Sequence, residues 1–425
     1  MEKKVFSRLD EEIFFEKLDN GLEVYLYPTN KTKNFYITIS VKYGANVTQY
    51  KKGDKVVDVI PGSAHFLEHK VMSFSENEEI SRRINELGSI ANAWTSYYGT
   101  NYNIFGSIDL KENLKLLLDI FYNIDINEEN VENEKGIIGE EIDMYKDQID
   151  GYLYQKLFSN LFHDSYIKNT VVGERSDIEK VTAKSLNEIY NDYYVPNNTF
   201  IVVCGNFNKE EILEEIKSYM NNININPCEV PVRVKKKDLN SVSALYEEVS
   251  KDVSSTRVKY AVKIDKKLFN IKNDDLLKFY ISIILSCNFS TTSKLFEKYK
   301  NNNIIICMSY GVNIVDDYIV ININAVTKND KLFIDSITKD IHKLIINEKD
   351  FDRKKKSILK NIIIDFDNIE DVEYNICTSL MMDDEIDFDI YNSVNDMKYE
   401  KCLEILEVLS NNILNDNTSV IKTIK

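Results

Sequence analysis

The chain has 425 residues, a net charge of −16, 43% hydrophobic residues and 11% aromatic residues. That length exceeds one ordinary core and predicts two domains of about 200 residues each; the apolar content excludes a disordered chain. The acidic balance excludes a general nucleic-acid binder, which needs a basic footprint. Six cysteines (Cys204, Cys228, Cys287, Cys307, Cys377 and Cys402) lie far apart with no C-x-x-C spacing, as expected of free thiols in a reducing cytoplasm. The stretch Met1–Phe6 reads as no signal peptide, since no long apolar run precedes Arg8, and no window reaches a membrane span.

A period of two runs from Glu12 to Ala45. It predicts strands at Ile13–Leu18 and Leu22–Tyr27, joined by the turn Asp19-Asn20-Gly21, and a third strand at Phe35–Tyr43. The breakers Pro61-Gly62 then introduce Ala64-His65-Phe66-Leu67-Glu68-His69-Lys70, with Ser63 as the expected N-cap. In a helix, His65, Glu68 and His69 project from one face. Imidazoles are good ligands for a borderline metal such as zinc, and the glutamate can take a proton from the water such a metal activates. The spacing is H-x-x-E-H, the inverse of the commoner H-E-x-x-H zinc-peptidase motif. With only 4 histidines in the chain, chance rarely produces this pattern.

Helical spacing resumes at Glu78–Leu87, stopped by Gly88, and at Asn113–Tyr122; Tyr102–Ile108 reads as a strand. A catalytic zinc usually takes three protein ligands, so a distant carboxylate or histidine is expected as the third. The segment Val131–Ile142 predicts a helix with Glu134, Ile138 and Glu141 on one face, although spacing alone does not separate Glu141 from Glu140. His163, in Phe162-His163-Asp164, reads as a helix end rather than a rival ligand. Thr182 is an expected cap, followed by a helix to Tyr190.

Residues 221–240 predict a linker, with Pro227, Pro231 and the solvated triplet Lys235-Lys236-Lys237, between domains at 1–220 and 241–425. The second half repeats the coarse order. It predicts strands at Ser254–Ala261 and Tyr318–Ala325, and helices at Asp274–Ser286, Lys331–Ile345, Phe351–Asn368 and Asp396–Leu409. It has no H-x-x-E-H, so at most one metal site is expected per chain.

The H-F-L-E-H-K motif, followed some seventy residues later by Glu134 and Glu141 in E-K-G-I-I-G-E-E-I-D-M-Y, resembles the M16 family of zinc metallopeptidases, the inverzincins. The likeness is strongest to its short-chain bacterial YmfH-type, processing-protease-like members. It implies that His65, His69 and Glu141 hold one zinc ion, that Glu68 is the general base, and that Glu134 supports the site from behind. It implies an α+β fold of two homologous M16/LuxS-like domains, each a mostly antiparallel sheet covered by helices. Ile90-Ala91-Asn92-Ala93-Trp94-Thr95-Ser96 is similar to the family's substrate-binding edge strand, which makes Asn92, Ala93, Trp94 and Thr95 the expected peptide contacts, with Trp94 better read as ordinary packing. Asn198 matches the family's structural asparagine.

The resemblance also implies a chamber built from four such domains, hence a homodimer or a heterodimer with a second M16 subunit, and a peptide substrate. The second half departs from the pattern. Many relatives carry an arginine and a tyrosine seven apart, and those places fall near Lys300 and Cys307, with Tyr299 and Tyr310 as nearby alternatives. A lysine is not a bidentate clamp. The expected activity is zinc-dependent peptide hydrolysis. The alternatives are a non-catalytic binding or assembly subunit, and a dedicated peptidase that trims leaders from bacteriocin-like modified peptides.

Overall fold

The computed structural model describes residues 1–72, 78–223 and 225–424, so Asn224 of the expected linker lies outside the described residues. The chain divides into two compact units. The first comprises residues 1–143, 169–235 and 363–390; the second comprises 144–168, 236–362 and 391–425. The passage near Lys235 falls inside the linker expected at 221–240. The expected division at 1–220 and 241–425 nevertheless differs from these units, because 144–168 and 363–390 each pack with the half of the chain to which they are not contiguous.

The first unit is built on a seven-stranded sheet. Its order is Glu2–Phe6, Glu11–Lys17, Glu23–Pro28, Thr199–Gly205, Phe35–Val41, Thr100–Gly106 and Ile90–Thr95. All neighbours are antiparallel except Glu23–Pro28 with Thr199–Gly205. Alternation along these strands sends one set of side chains to each face. Val24, Leu26, Ile37, Ile39, Tyr102, Ile104, Ile201 and Val203 point to a core shared with helix Leu110–Tyr122 and the helix Ser63–Val71. Tyr25, Tyr27, Phe200, Val202 and Cys204 point the other way, under Ile369–Asp383. That last helix covers the sheet with Ile369, Val372, Ile376, Leu380 and Met381, and each such side chain contributes about 1.5–3 kcal/mol when fully buried.

The second unit has a five-stranded sheet in the order Tyr246–Ser250, Thr418–Ile424, Thr256–Asp265, Tyr318–Thr327 and Cys307–Val315. Here too one pair is parallel, Tyr246–Ser250 with Thr418–Ile424, and the rest are antiparallel. Setting aside Glu2–Phe6 and Glu11–Lys17 of the first sheet, in both units the last strand inserts between the two that come first in the chain, and a hairpin strand forms the far edge. The two sheets therefore share one topology, with two extra strands in the first. Each is α+β, with a mostly antiparallel sheet wrapped by helices. No helix among the described residues is long and apolar enough to cross a membrane.

Candidate metal centre

The helix Ser63–Val71 begins differently from expectation. Gly62, not Ser63, occupies the cap position, with φ of 88°, and Ser63 is the first helical residue, its hydroxyl donating to the carbonyl of Ile60 at 2.7 Å. A Cβ at Gly62 would stand 2.7 Å from the carbonyl oxygen of Val172, so only glycine fits both the left-handed backbone and the close approach. Ala64, Phe66, Leu67 and Val71 then bury into the core and fix how the helix is turned. That orientation leaves His65 and His69 facing the second helix, Glu128–Asp147, which is seated by Val131, Ile138 and Ile142.

Between these helices His65, His69 and Glu141 converge, with one ligand atom from each lying within 4.8 Å of the others. His65 Nε2 is 3.5 Å from Glu141 Oε1, and His69 Nε2 is 3.2 Å from Glu141 Oε2. Tetrahedral zinc holds such atoms about 2.0–2.1 Å away, and hence roughly 3.3 Å from one another, so the donor set and its spacing fit the ion. Glu140 is exposed. The geometry thus selects Glu141 where the sequence spacing left both residues open. Among the described residues this is the one such group of His, Cys, Asp and Glu side chains.

Glu134 is only 3% exposed, and its Oε1 lies 2.9 Å from His69 Nδ1. A carboxylate can only accept, so Nδ1 carries a proton, and loss of the proton that Nε2 shares with Glu141 would present the Nε2 lone pair to a metal. Lys70, also buried, approaches Glu134 Oε2 at 3.7 Å. Burial opposes the charge on Glu134, but the His69 hydrogen bond and the His69 and Lys70 charges outweigh it and lower its pKa. Hydrogen bonds from His65 and then His69 hold Glu141 well below the usual carboxylate range. The Nδ1 of His65 is buried with no hydrogen-bond partner among the described residues, so its Nε2 is the nitrogen turned to the cluster.

Thr95 closes the edge strand Ile90–Thr95 beside this helix, and its hydroxyl lies 2.5 Å from Glu68 Oε2. Ala91 and Ala93 share its face and pack on the core. Trp94 takes the opposite face, with its ring 5.9 Å from that of Tyr374, an aromatic contact that agrees with ordinary packing. Asn92 is exposed. His163 is bonded instead to the second unit's own segment, its Nε2 3.4 Å from the Ser241 hydroxyl. Of the alternatives in the second half, Tyr299 is fully buried with its hydroxyl on Asp340 at 3.1 Å, which removes it as a substrate contact. Lys300 reaches the carbonyl of Ile306 at 2.5 Å, Cys307 is exposed at the start of the sheet's edge strand, and Tyr310 is half-buried. The hydroxyl contact of Thr95 with Glu68 and the approach of Lys70 to Glu134 carry no signal in the sequence; no spacing rule links residues 27 apart on a helix and a strand.

Comparison with known proteins agrees with this geometry. Residues 57–175 match the family model described as insulinase (peptidase family M16), and residues 180–358 match the one described as the peptidase M16 inactive domain. The chain is 28% identical over 299 residues to the uncharacterized zinc protease YmfH of Bacillus subtilis, covering 69% of this chain and 68% of that protein. It is 26% identical over 211 residues to an uncharacterized zinc protease of Rickettsia bellii, covering 49% of each. Among solved structures it resembles an M16-like peptidase from Alicyclobacillus acidocaldarius (TM-score 0.87, 22% identity, covering 99% of this chain and 100% of that one). It also resembles a protease from Helicobacter pylori (TM-score 0.79, 18% identity, covering 98% and 100%). The metal triad lies within the first matched region, and the second matched region lacks the motif. This chain belongs to the M16 family of zinc metallopeptidases.

Proposed function

We propose that the chain is a zinc-dependent endopeptidase that cuts peptides bound as an added strand along Ile90–Thr95. The observation that carries this reading is the convergence of His65, His69 and Glu141 with Glu68 one helical turn along from His65. Zinc at this site supplies Lewis acidity toward the scissile carbonyl and toward water. Glu68 takes one proton from the water as its oxygen bonds to the carbonyl carbon. The same carboxyl then returns the proton to the amide nitrogen as the carbon–nitrogen bond breaks. Glu134 accepts from His69 Nδ1, which would direct Nε2 toward the metal.

The strand Ile90–Thr95 pairs with Thr100–Gly106 and stands at the end of the sheet order, which supports strand addition, since an edge offers main-chain groups to any peptide. Asn92 and Ala93 are the contacts this reading favours, with Trp94 and Thr95 flanking them. The partner is a second M16 subunit, either another copy or a relative. The departure at Lys300 and Cys307 supports a partner that brings the missing contacts. A chain dedicated to one leader peptide is a narrower form of the same chemistry. The six free cysteines fit a reducing, cytoplasmic setting. In the test, Glu68→Gln is expected to lose at least about 100-fold in turnover of an internally quenched peptide while keeping its zinc; full activity in that variant overturns the assignment.

A further inference from the structure

Glu68 and Thr95 come from different elements, yet Thr95 Oγ1 stands 2.5 Å from Glu68 Oε2. The same hydroxyl is 3.5 Å from Thr100 Oγ1, which is itself 3.0 Å from the main-chain oxygen of Tyr43. Each threonine has a single proton to donate. The Tyr43 carbonyl can only accept, so it takes the proton of Thr100. The proton of Thr95 goes to the carboxylate, which is both nearer and charged. Thr95 is held in this orientation because it is the last residue of a strand registered against Thr100 and packed by Ala91 and Ala93 on the same face.

We propose that Thr95 is a positioning residue for the general base, and that it ties the base to the strand that receives the peptide. This rests on the hydrolase reading above. With Oε2 pinned by the hydroxyl, Oε1 is the oxygen that takes the proton from water and later yields it to the amine. Oε2 accepts from Thr95 both when the carboxyl is charged and when Oε1 is protonated, so the group needs no rotation between the two transfers. Because Thr95 sits on the edge strand, the register of a peptide added to that strand is carried through Oε2 to the carboxylate that moves the proton.

The test compares Thr95→Val, which keeps the shape and loses the hydroxyl, with Thr95→Ser, which keeps the hydroxyl. In Thr95→Val, kcat on an internally quenched peptide is expected to fall about 10–100-fold with KM nearly unchanged. Zinc content should stay at the wild-type level, and Thr95→Ser should recover most of kcat. Crystal structures of the zinc-loaded variants give a readout independent of turnover: one Glu68 carboxylate orientation in wild type and Thr95→Ser, and a rotated or divided one in Thr95→Val. An unchanged Glu68 orientation in Thr95→Val overturns the inference, and so does Thr95→Ser as impaired as Thr95→Val. A wild-type chain that holds zinc and cleaves nothing sinks the hydrolase reading instead, and the orientation of Glu68 still decides for Thr95.

Discussion

Glu134 shows how much of a metal site lies behind its ligands. It is nearly fully buried between His69 Nδ1 and the Lys70 ammonium, and its charge persists there because both neighbours compensate it. Removing the carboxylate takes away the acceptor that holds His69 Nδ1 and the Glu134 charge that faces Lys70. Glu134→Ala is therefore expected to weaken zinc binding by about 10–100-fold, measured by competition with a chelator of known affinity. An unchanged affinity would show that packing alone orients His69. The motif residues themselves were legible, because H-x-x-E-H depends only on helical spacing. Glu141 was not separable from Glu140, since consecutive residues on a helix differ only in direction. What decides between them is the seating of the helix by Val131, Ile138 and Ile142, a tertiary fact.

At the scale of elements, the first three central strands and the histidine helix followed from alternation, the Asp19-Asn20-Gly21 turn and the Pro61-Gly62 breakers. Elements whose support lies far along the chain did not. Glu2–Phe6 is mostly charged and Tyr246–Ser250 alternates around two glutamates, and both are strands because of partners elsewhere. The helix Ile369–Asp383 was hidden behind Asn368, which follows one helical stretch and caps the next through its side chain.

That helix carries Glu373, only 2% exposed, whose Oε1 accepts from Thr38 at 2.6 Å, from Cys377 at 3.0 Å and from Asn101 at 3.1 Å. Burial, with a smaller push from Glu370, raises its pKa above the ordinary 4.5 against those hydrogen bonds. The folded state therefore binds the proton more tightly than the unfolded chain. The stability this gives is complete below 4.5 and is lost as pH rises through the raised value. Glu373→Gln keeps the acceptor oxygen and cannot ionise. Urea midpoints of the metal-free protein should fall more steeply in wild type than in Glu373→Gln as pH rises above 4.5. Parallel curves would mean that Glu373 is charged in the fold.

For the whole molecule, the two units are one topology used twice, with only the first carrying the ligands. Sequence patterning conveyed the repeat, and it did not convey the exchange of 144–168 and 363–390, because covering helices read alike whichever sheet they cover. A fragment ending near Lys235 lacks Ile369–Asp383 and would leave Tyr25, Phe200, Val202 and Cys204 without their cover. Such a fragment is expected to bind a hydrophobic dye and aggregate, and a linked copy of 363–390 should reverse both effects. A soluble fragment that does not bind the dye would show that this face needs no cover.

All of the chemistry argued above depends on one metal ion held by three side chains. The direct test is zinc content by elemental analysis after metal loading and desalting, for wild type, Glu140→Gln and Glu141→Gln. About one zinc per chain is expected in the first two and almost none in the third. A wild-type chain without zinc, or a Glu141→Gln chain that keeps it, would contradict the account.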